Sequence, residues 1–206
     1  MEKKEIRNPQ QKRSIEKKNR IINAARKLFY QNGYFGTNTA EIAQEAGIAT
    51  GSVYAYFQDK KDILLACLHA FGTQISGEIC SEIRRFSEQD DMLNTAKQTL
   101  KILVKSHEGQ SRLFHDEVES LRYRDEDIWN FFSDVQKNVM AAVAEAVSEQ
   151  GYIFPHDREQ TFLLFRMVDG IEDELTFNCT PDIDHAVLLD ECAKLIVTML
   201  VRKEDA

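Results

Sequence analysis

The stretch Asn38–Phe57, NTAEIAQEAGIATGSVYAYF, holds the residues of this chain best suited to recognition chemistry. Thr50, Gly51, Ser52, Ala55 and Tyr56 fall on the outer side of a short segment whose other side carries Ile48 and Val53. Hydroxyls, methyls and a bare backbone are groups that can meet base edges in the major groove of duplex DNA. Thr37 and Asn38 offer a hydroxyl and a helix N-terminus to a phosphate. Tyr54 and Tyr56 offer phenolic hydroxyls, and Lys60 offers an ammonium. No Arg or Gln stands within residues 50–56. Bidentate reading of guanine or adenine is therefore absent from this segment, and methyl contacts, backbone proximity and DNA shape must carry specificity.

These groups need two short helices and a tight turn to hold them. Asn38 followed by Glu41 spells a capping box, which predicts a helix over about 39–46. Ala43 allows a close crossing, and Gly47 supplies a turn residue tolerant of positive φ. A second helix is expected from about Thr50 to Tyr56, with Ile42, Ile48 and Val53 fixing the angle between the two. Ahead of them, Ile15, Ile22, Ala25, Leu28 and Phe29 share one face of a helix that starts near Ser14 and ends at a Gly33 C-cap. Asp59 with Asp62 caps a long fourth helix to about Arg85. Phe57 reads as core. Two readings of Tyr54 stand, core packing or phosphate contact, and Lys60 is either a phosphate cation or an ordinary solvated lysine.

The run AARKLFYQNGYFGTNTAEIAQEAGIATGSVYAYFQDKKDIL, residues 24–64, resembles the tetracycline-repressor (TetR) family. The resemblance is carried by Ala25, Leu28, Phe29, Gly33, Tyr34, Ile42, Ala43, Ala46-Gly47-Ile48, Gly51, Val53-Tyr54, Tyr56-Phe57 and Lys60. One position departs: the family often has Ser where Ala49 stands, so either Thr50 caps the second helix or its first turn is less firmly held. The resemblance implies DNA contacts from Thr37, Asn38, Thr50, Gly51, Ser52, Tyr54, Ala55, Tyr56 and Lys60. It also implies a homodimer on a near-palindromic operator and a helical domain that senses a small molecule. The implied function is a ligand-responsive transcriptional regulator, a repressor released by its effector. In the implied mechanism the ligand displaces the fourth helix. The competing reading is a helical ligand- or partner-binding protein with a vestigial DNA head.

The chain as a whole fits this division. Its 206 residues contain 3 Pro and 9 Gly, few breakers for their length, and long stretches rich in helix formers. An all-α fold of about nine helices is expected, with no strand. The predicted division is a basic mobile arm over 1–13, a helix-turn-helix domain over 14–64 and a sensing and dimerisation domain over 65–206. Residues 1–61 carry 12 Lys+Arg against 6 Asp+Glu, while residues 62–206 carry 14 against 28. A basic head on an acidic body suits a polyanionic partner for the head.

The later helices, about 91–106, 110–121, 126–150, 157–178 and 184–202, hold two further patterns. Leu164, Val168, Ile171 and Leu175, with Leu188, Cys192, Leu195, Ile196 and Met199, form two apolar stripes. They suit either a dimeric four-helix bundle or burial within one subunit. Gly170, in mid-helix, suggests a close helix approach. Phe162, Phe165, Asp169 and Glu172 form another stripe, which Phe71, Phe114, Trp129 and Phe132 could join around a cationic, lipophilic effector. Ordinary core phenylalanines with solvated acids are the alternative.

No dinucleotide, phosphate-loop or nucleophile-elbow motif occurs. His115 and Glu119, with His107 nearby, allow a metal site to be drawn, but chance pairing on a helix accounts for them. No enzyme activity, cofactor or metal is expected. Asp182 and His185 are expected to cap the last helix. Cys67, Cys80, Cys179 and Cys192 lack paired spacing and read as buried reduced thiols. No run of 18 apolar residues and no secretory leader is seen, so a cytoplasmic protein without membrane contact is expected.

Overall fold

The structure, a computed structural model, describes residues 12–86, 91–177 and 180–206. The elements run α1 Lys12–Asn32, α2 Thr39–Glu45, α3 Thr50–Val53, α4 Lys60–Arg84, α5 Met92–Ser106, α6 Arg112–Arg122 and α7 Glu126–Glu149. Then follow β1 Tyr152–Ile153, α8 Asp157–Phe177, α9 His185–Thr198, β2 Val201–Arg202 and a 3-10 turn, Lys203–Asp205. Of the expected basic arm, Lys3, Lys4 and Arg7 lie outside the described residues, and Lys12 and Arg13 belong to α1.

Four local expectations are corrected. The second helix of the motif is one turn, ending at Val53, and Tyr54–Tyr56 lie in a turn. The last helix stops at Thr198. Val201–Arg202 then pairs antiparallel with Tyr152–Ile153, so a two-residue ladder exists where no strand was expected. It forms because Gly151, at φ +83°, turns the chain after α7, and Lys203 N–H closes the ladder on Gly151 O at 2.9 Å. Finally, Asp184 caps α9 by accepting from Ala186 and Val187 N–H. Asp182 instead sits at φ +68°, and His185 Nε2 lies 3.5 Å from Glu174.

The chain divides into two compact units: the described residues to Phe71 with Gly109–Phe131, and Gly72–Glu108 with Phe132–Ala206. The first unit thus takes in α6, a segment that the sequence assigned to the C-terminal domain. Its core is built from Ile21, Phe29, Ile42, Val53, Ile63, Leu64 and Ile128, all fully buried. Phe29 stacks on Phe114 of α6 at 5.9 Å and tilts against Tyr34 at 5.6 Å. Aromatic pairs of this kind add about 0.5–1.5 kcal/mol to their area burial.

The second unit packs α5, α8 and α9 together. One cluster joins Cys80 and Ile83 to Val143, Ala146, Val147, Phe154 and Leu164. Another joins Ala96 and Leu100 to Cys192 and Ala193. Polar side-chain contacts tie α5 and its C-cap to their neighbours, the ion pair Lys97–Asp190 and the contact of His107 with Glu172.

Helix α4, with 25 residues and a mean hydropathy of 1.3 in its most apolar window, has the length and composition to cross a bilayer. Its side chains Ile63, Leu64, Cys67, Ile75, Cys80 and Ile83 are instead buried within the protein. Cys67, Cys80 and Cys192 are free and buried, and burial pushes the Cys67 thiol up to about 12 and the Cys192 thiol to about 11. Cys179 lies outside the described residues.

Candidate nucleic-acid interface

The motif is held by its caps. Asn38 accepts from Ala40 and Glu41 N–H at 3.0 Å each, and Glu41 returns a carboxylate to Asn38 N–H at 3.0 Å. This is the capping box read from the sequence. Ala43 is buried at the crossing, and Gly47 adopts φ +64°. Ala49 stands at the N-cap of α3 without a side-chain bond, so Thr50 does not cap and the first turn relies on packing. Val53, fully buried, anchors α3 from within, with Ile42 and half-buried Ile48 beside the turn.

Thr50, Gly51, Tyr54 and Ala55 are exposed, while Ser52 and Tyr56 are half-buried. Tyr54, 43 % exposed, is not a core residue; its hydroxyl meets Thr39 Oγ1 at 2.9 Å. The Tyr56 hydroxyl accepts from Ser14 Oγ at 3.2 Å and keeps its proton to donate. Phe57 is buried, as expected.

Two residues expected at phosphates are engaged within the chain instead. Thr37 is only 2 % exposed, and its hydroxyl donates to Gly33 O at 2.8 Å. It closes the α1–α2 loop from inside and has nothing to offer a phosphate. Lys60 is bound into the same loop: its Nζ donates to Tyr34 O at 2.7 Å and Thr37 O at 2.8 Å and lies 4.3 Å from the Tyr34 ring centre. Burial lowers its pKa, opposed by the nearby carboxylates Glu117 and Glu41. Lys60 therefore satisfies the Thr37 carbonyl and shares that of Tyr34 with Thr37 N–H, which lies at 3.3 Å. Lys60→Met is expected to cost about 1–3 kcal/mol, or very roughly 2–10 °C in Tm. The salt dependence of DNA binding should stay unchanged, where loss of a phosphate contact would lower its log–log slope by about 0.9. Thermal melts and a salt titration check both.

Three positioning residues escaped the sequence reading. Arg20 of α1 donates to Ala46 O, and to Gly47 O at 3.2 Å, placing a cation on the C-terminal carbonyls of α2. A Cβ on Gly47 would lie 2.8 Å from that guanidinium, so the glycine serves both the turn and the cap. Thr39 steadies Tyr54, as above. Glu117 of α6 accepts from Tyr34 and Phe35 N–H. The positive φ expected at Gly33 is found, at +78°; what sequence could not show is that a Cβ there would strike Glu117.

The residues expected around an effector fall in both units. Phe71, Phe114 and Trp129 belong to the first unit, and Phe132, Phe162, Phe165, Asp169 and Glu172 to the second. Phe114 is committed to the core against Phe29 and Tyr30. Trp129 is exposed beside Tyr123, and Phe162 is exposed. Phe71, Phe132 and Phe165 are half-buried. Asp169 pairs with Arg166 at 3.3 Å and Glu172 lies 2.5 Å from His107 Nδ1, so both carboxylates have partners within the chain.

Of the expected dimer stripes, Leu164 and Cys192 are buried within the chain. Val168, Ile171, Ile196 and Met199 pack against the intrachain clusters, and Leu175 and Leu188 are half-buried. Only Leu195 is exposed. Of the two readings of these stripes, burial within one subunit accounts for most of their residues, because periodicity marks an apolar face without saying what covers it. Among the described residues of α8 and α9, the exposed large apolar side chains are Phe162, Leu163, Val187 and Leu195.

The model of the bacterial regulatory proteins of the tetR family matches residues 21–67. The chain is 34 % identical over 107 residues to the HTH-type transcriptional regulator HbdR of Aromatoleum sp., covering 52 % of this chain and 47 % of that protein. It is 34 % identical over 87 residues to the fatty acid metabolism regulator protein of Bacillus subtilis, 42 % of this chain and 41 % of that one. The chain thus spans less than half the length of these relatives. The fold extends further: the fatty acid degradation regulator FadR of Bacillus halodurans superimposes with a TM-score of 0.68 at 22 % identity, over 88 % of this chain and 94 % of that one. A capped α2, a glycine turn and an outward-facing α3, on the residues that the family model matches, give this chain a DNA-binding domain of the kind found in the tetR family of bacterial regulatory proteins.

Proposed function

We propose that the protein is a homodimeric, effector-responsive repressor that acts in the cytoplasm, each protomer setting α3 in the major groove of one half-site. The observation that carries this reading is the outward presentation of Thr50 and Gly51 on a helix pinned from inside by Val53, with Ala55 exposed in the turn that follows. Asn38, at the exposed N-terminus of α2, and the tethered hydroxyls of Tyr54 and Tyr56 supply the flanking phosphate contacts, with Ser52 at the edge of the base-facing surface. Duplexes selected from a random pool should bind with a steep salt dependence and two protomers per duplex, measured by fluorescence anisotropy. Failure of every selected duplex to bind would favour the vestigial-head alternative.

Dimer formation is assigned to the outer faces of α8 and α9. Phe162, Arg166 and Gly170 follow one another at intervals of four on α8, with Leu163 beside them, and Val187, Glu191 and Leu195 do the same on α9. A Cβ on exposed Gly170 would meet nothing within 4 Å in this chain. Mid-helix glycine costs about 1 kcal/mol relative to alanine, and a close approach by a second copy is the reason we assign to it. Leu163→Glu should yield monomers by analytical ultracentrifugation and weaken operator binding, since half-sites are then occupied independently. A variant that remains dimeric would move the interface elsewhere.

The effector is assigned as a lipophilic small molecule, following two relatives whose names place them in fatty acid metabolism. Long-chain acyl-coenzyme A should release the duplex, and a lipophilic quaternary ammonium tests the cationic class. In this reading the effector acts through α4, which runs unbroken from Lys60 to Arg84.

A further inference from the structure

We infer that Glu117 is a positioning residue for DNA binding: through it, helix α6 holds the α1–α2 loop and with it the N-terminus of α2. The inference rests on the DNA-binding reading above and adds to it a residue far from the helix-turn-helix in sequence.

The loop between α1 and α2, residues 33–37, satisfies only part of its own backbone, through Thr37 N–H on Tyr34 O and the Thr37 hydroxyl on Gly33 O, so the remaining polar groups need partners elsewhere. The structure accounts for them from two sides. Glu117 Oε2 accepts from Tyr34 N–H and, at 3.1 Å, from Phe35 N–H. Lys60 Nζ donates to the carbonyls of Tyr34 and Thr37. A carboxylate and an ammonium thus grip the peptide groups of one short loop, and the carboxylate favours the charged form of the lysine. Charge-assisted bonds of this kind are roughly twice as strong as neutral ones.

Gly33 makes the grip possible, because a Cβ there would stand 2.7 Å from Glu117 Oε2. Beyond the loop comes Asn38, the N-cap of α2, and α2 in turn packs against α3. The entry of α6 is tied to α1 as well, by Ser111 N–H donating to Tyr30 O at 3.2 Å. A bond of this geometry weakens steeply once it is misaligned or stretched by a few tenths of an ångström. A displacement of α6 therefore releases Tyr34 and Phe35 N–H and loosens the loop that sets α2. This is a route from α6 to the DNA-facing helices that does not require α4.

Amide hydrogen exchange of the full chain, read residue by residue, tests the grip directly. In the wild type the amides of Tyr34 and Phe35 should be protected despite lying in a loop. In Glu117→Ala their exchange should rise about tenfold or more, with a similar rise in Kd for a selected duplex. Glu117→Gln, which keeps an oxygen acceptor without the charge, should fall between. Asp116→Asn, an exposed neighbour on α6, should change neither measurement. Exchange at Ile21 and Ala25 in the α1 core should be the same in all variants, which a general loss of stability would not allow. If Glu117→Ala does not fold, Glu117→Gln and the wild-type exchange decide. Solvent-rate exchange of Tyr34 and Phe35 in the wild type, or a Glu117→Ala protein with unaltered exchange and Kd, overturns the inference. A wild type that binds no duplex overturns the parent reading instead, and the exchange data still judge the grip.

Discussion

Gly51→Glu is expected to leave the protein folded and to remove its affinity for DNA. Gly51 is exposed on α3, and a Cβ built on it meets nothing within 4 Å. No positive φ requires glycine there. Glycine in a helix is less stable than a substituted residue by up to about 1 kcal/mol. The melting temperature of the variant should therefore stay level or rise. The glycine has no partner inside the chain that explains it, and the proposed interface supplies one: close approach of the α3 backbone to the groove. A carboxylate placed there meets a phosphate-lined surface, and like-charge juxtaposition costs several kcal/mol. With each 1.4 kcal/mol equal to a factor of ten, Kd should rise by at least about 100-fold. Gly51→Ala should give a smaller loss in the same direction, again without destabilisation. Anisotropy on a selected duplex and thermal melts of both variants test this together. Undiminished binding by Gly51→Glu would remove α3 from the interface.

The second large effect concerns Phe29→Ala, where stability should fall by about 3–5 kcal/mol. Phe29 is fully buried and touches two rings: Phe114 of α6, stacked at 5.9 Å, and Tyr34 of the α1–α2 loop at 5.6 Å. Truncation opens a cavity at the point where α1, α6 and the loop converge. Against a total of about 5–15 kcal/mol for a folded domain, the loss is large enough to populate an unfolded head. Urea unfolding should show a lowered midpoint. DNA binding should return on addition of enough duplex to pull the folded form back by mass action. This recovery separates Phe29→Ala from Gly51→Glu, which cannot be rescued by stabilising the fold. A Phe29→Ala protein as stable as the wild type would contradict the packing described here.

The difference between the two variants reflects which information each position carries. Capping chemistry is local, and so Asn38 with Glu41, Asp59 with Asp62, and the turn glycines Gly33 and Gly47 were legible from spacing alone. Each depends on residues within a few positions, where backbone geometry leaves few alternatives. The outward placement of Thr50 and Gly51 on α3 and of Ala55 just after it followed from the same short-range periodicity, because Ile42, Ile48 and Val53 are the large apolar anchors of the motif. Chain termination was less legible. The end of α9 and the ladder Tyr152–Ile153 with Val201–Arg202 depend on two segments about 50 residues apart meeting, and two-residue strands leave no alternation to read.

The sequence by itself determined the helix-turn-helix, its caps and the basic character of the head, since these arise from neighbours in the chain and from summed charge. Tertiary structure alone decided that Lys60 and Thr37 serve the α1–α2 loop, that α6 joins the first unit through Phe114 and Glu117, and that Leu164 and Cys192 face inward while Leu163 and Val187 face out. The physical reason is that a lysine, a glutamate or an apolar stripe offers the same chemistry to a phosphate, a backbone group, a core or a second copy. Which of these it meets is fixed by long-range packing, and periodicity within one helix does not encode it.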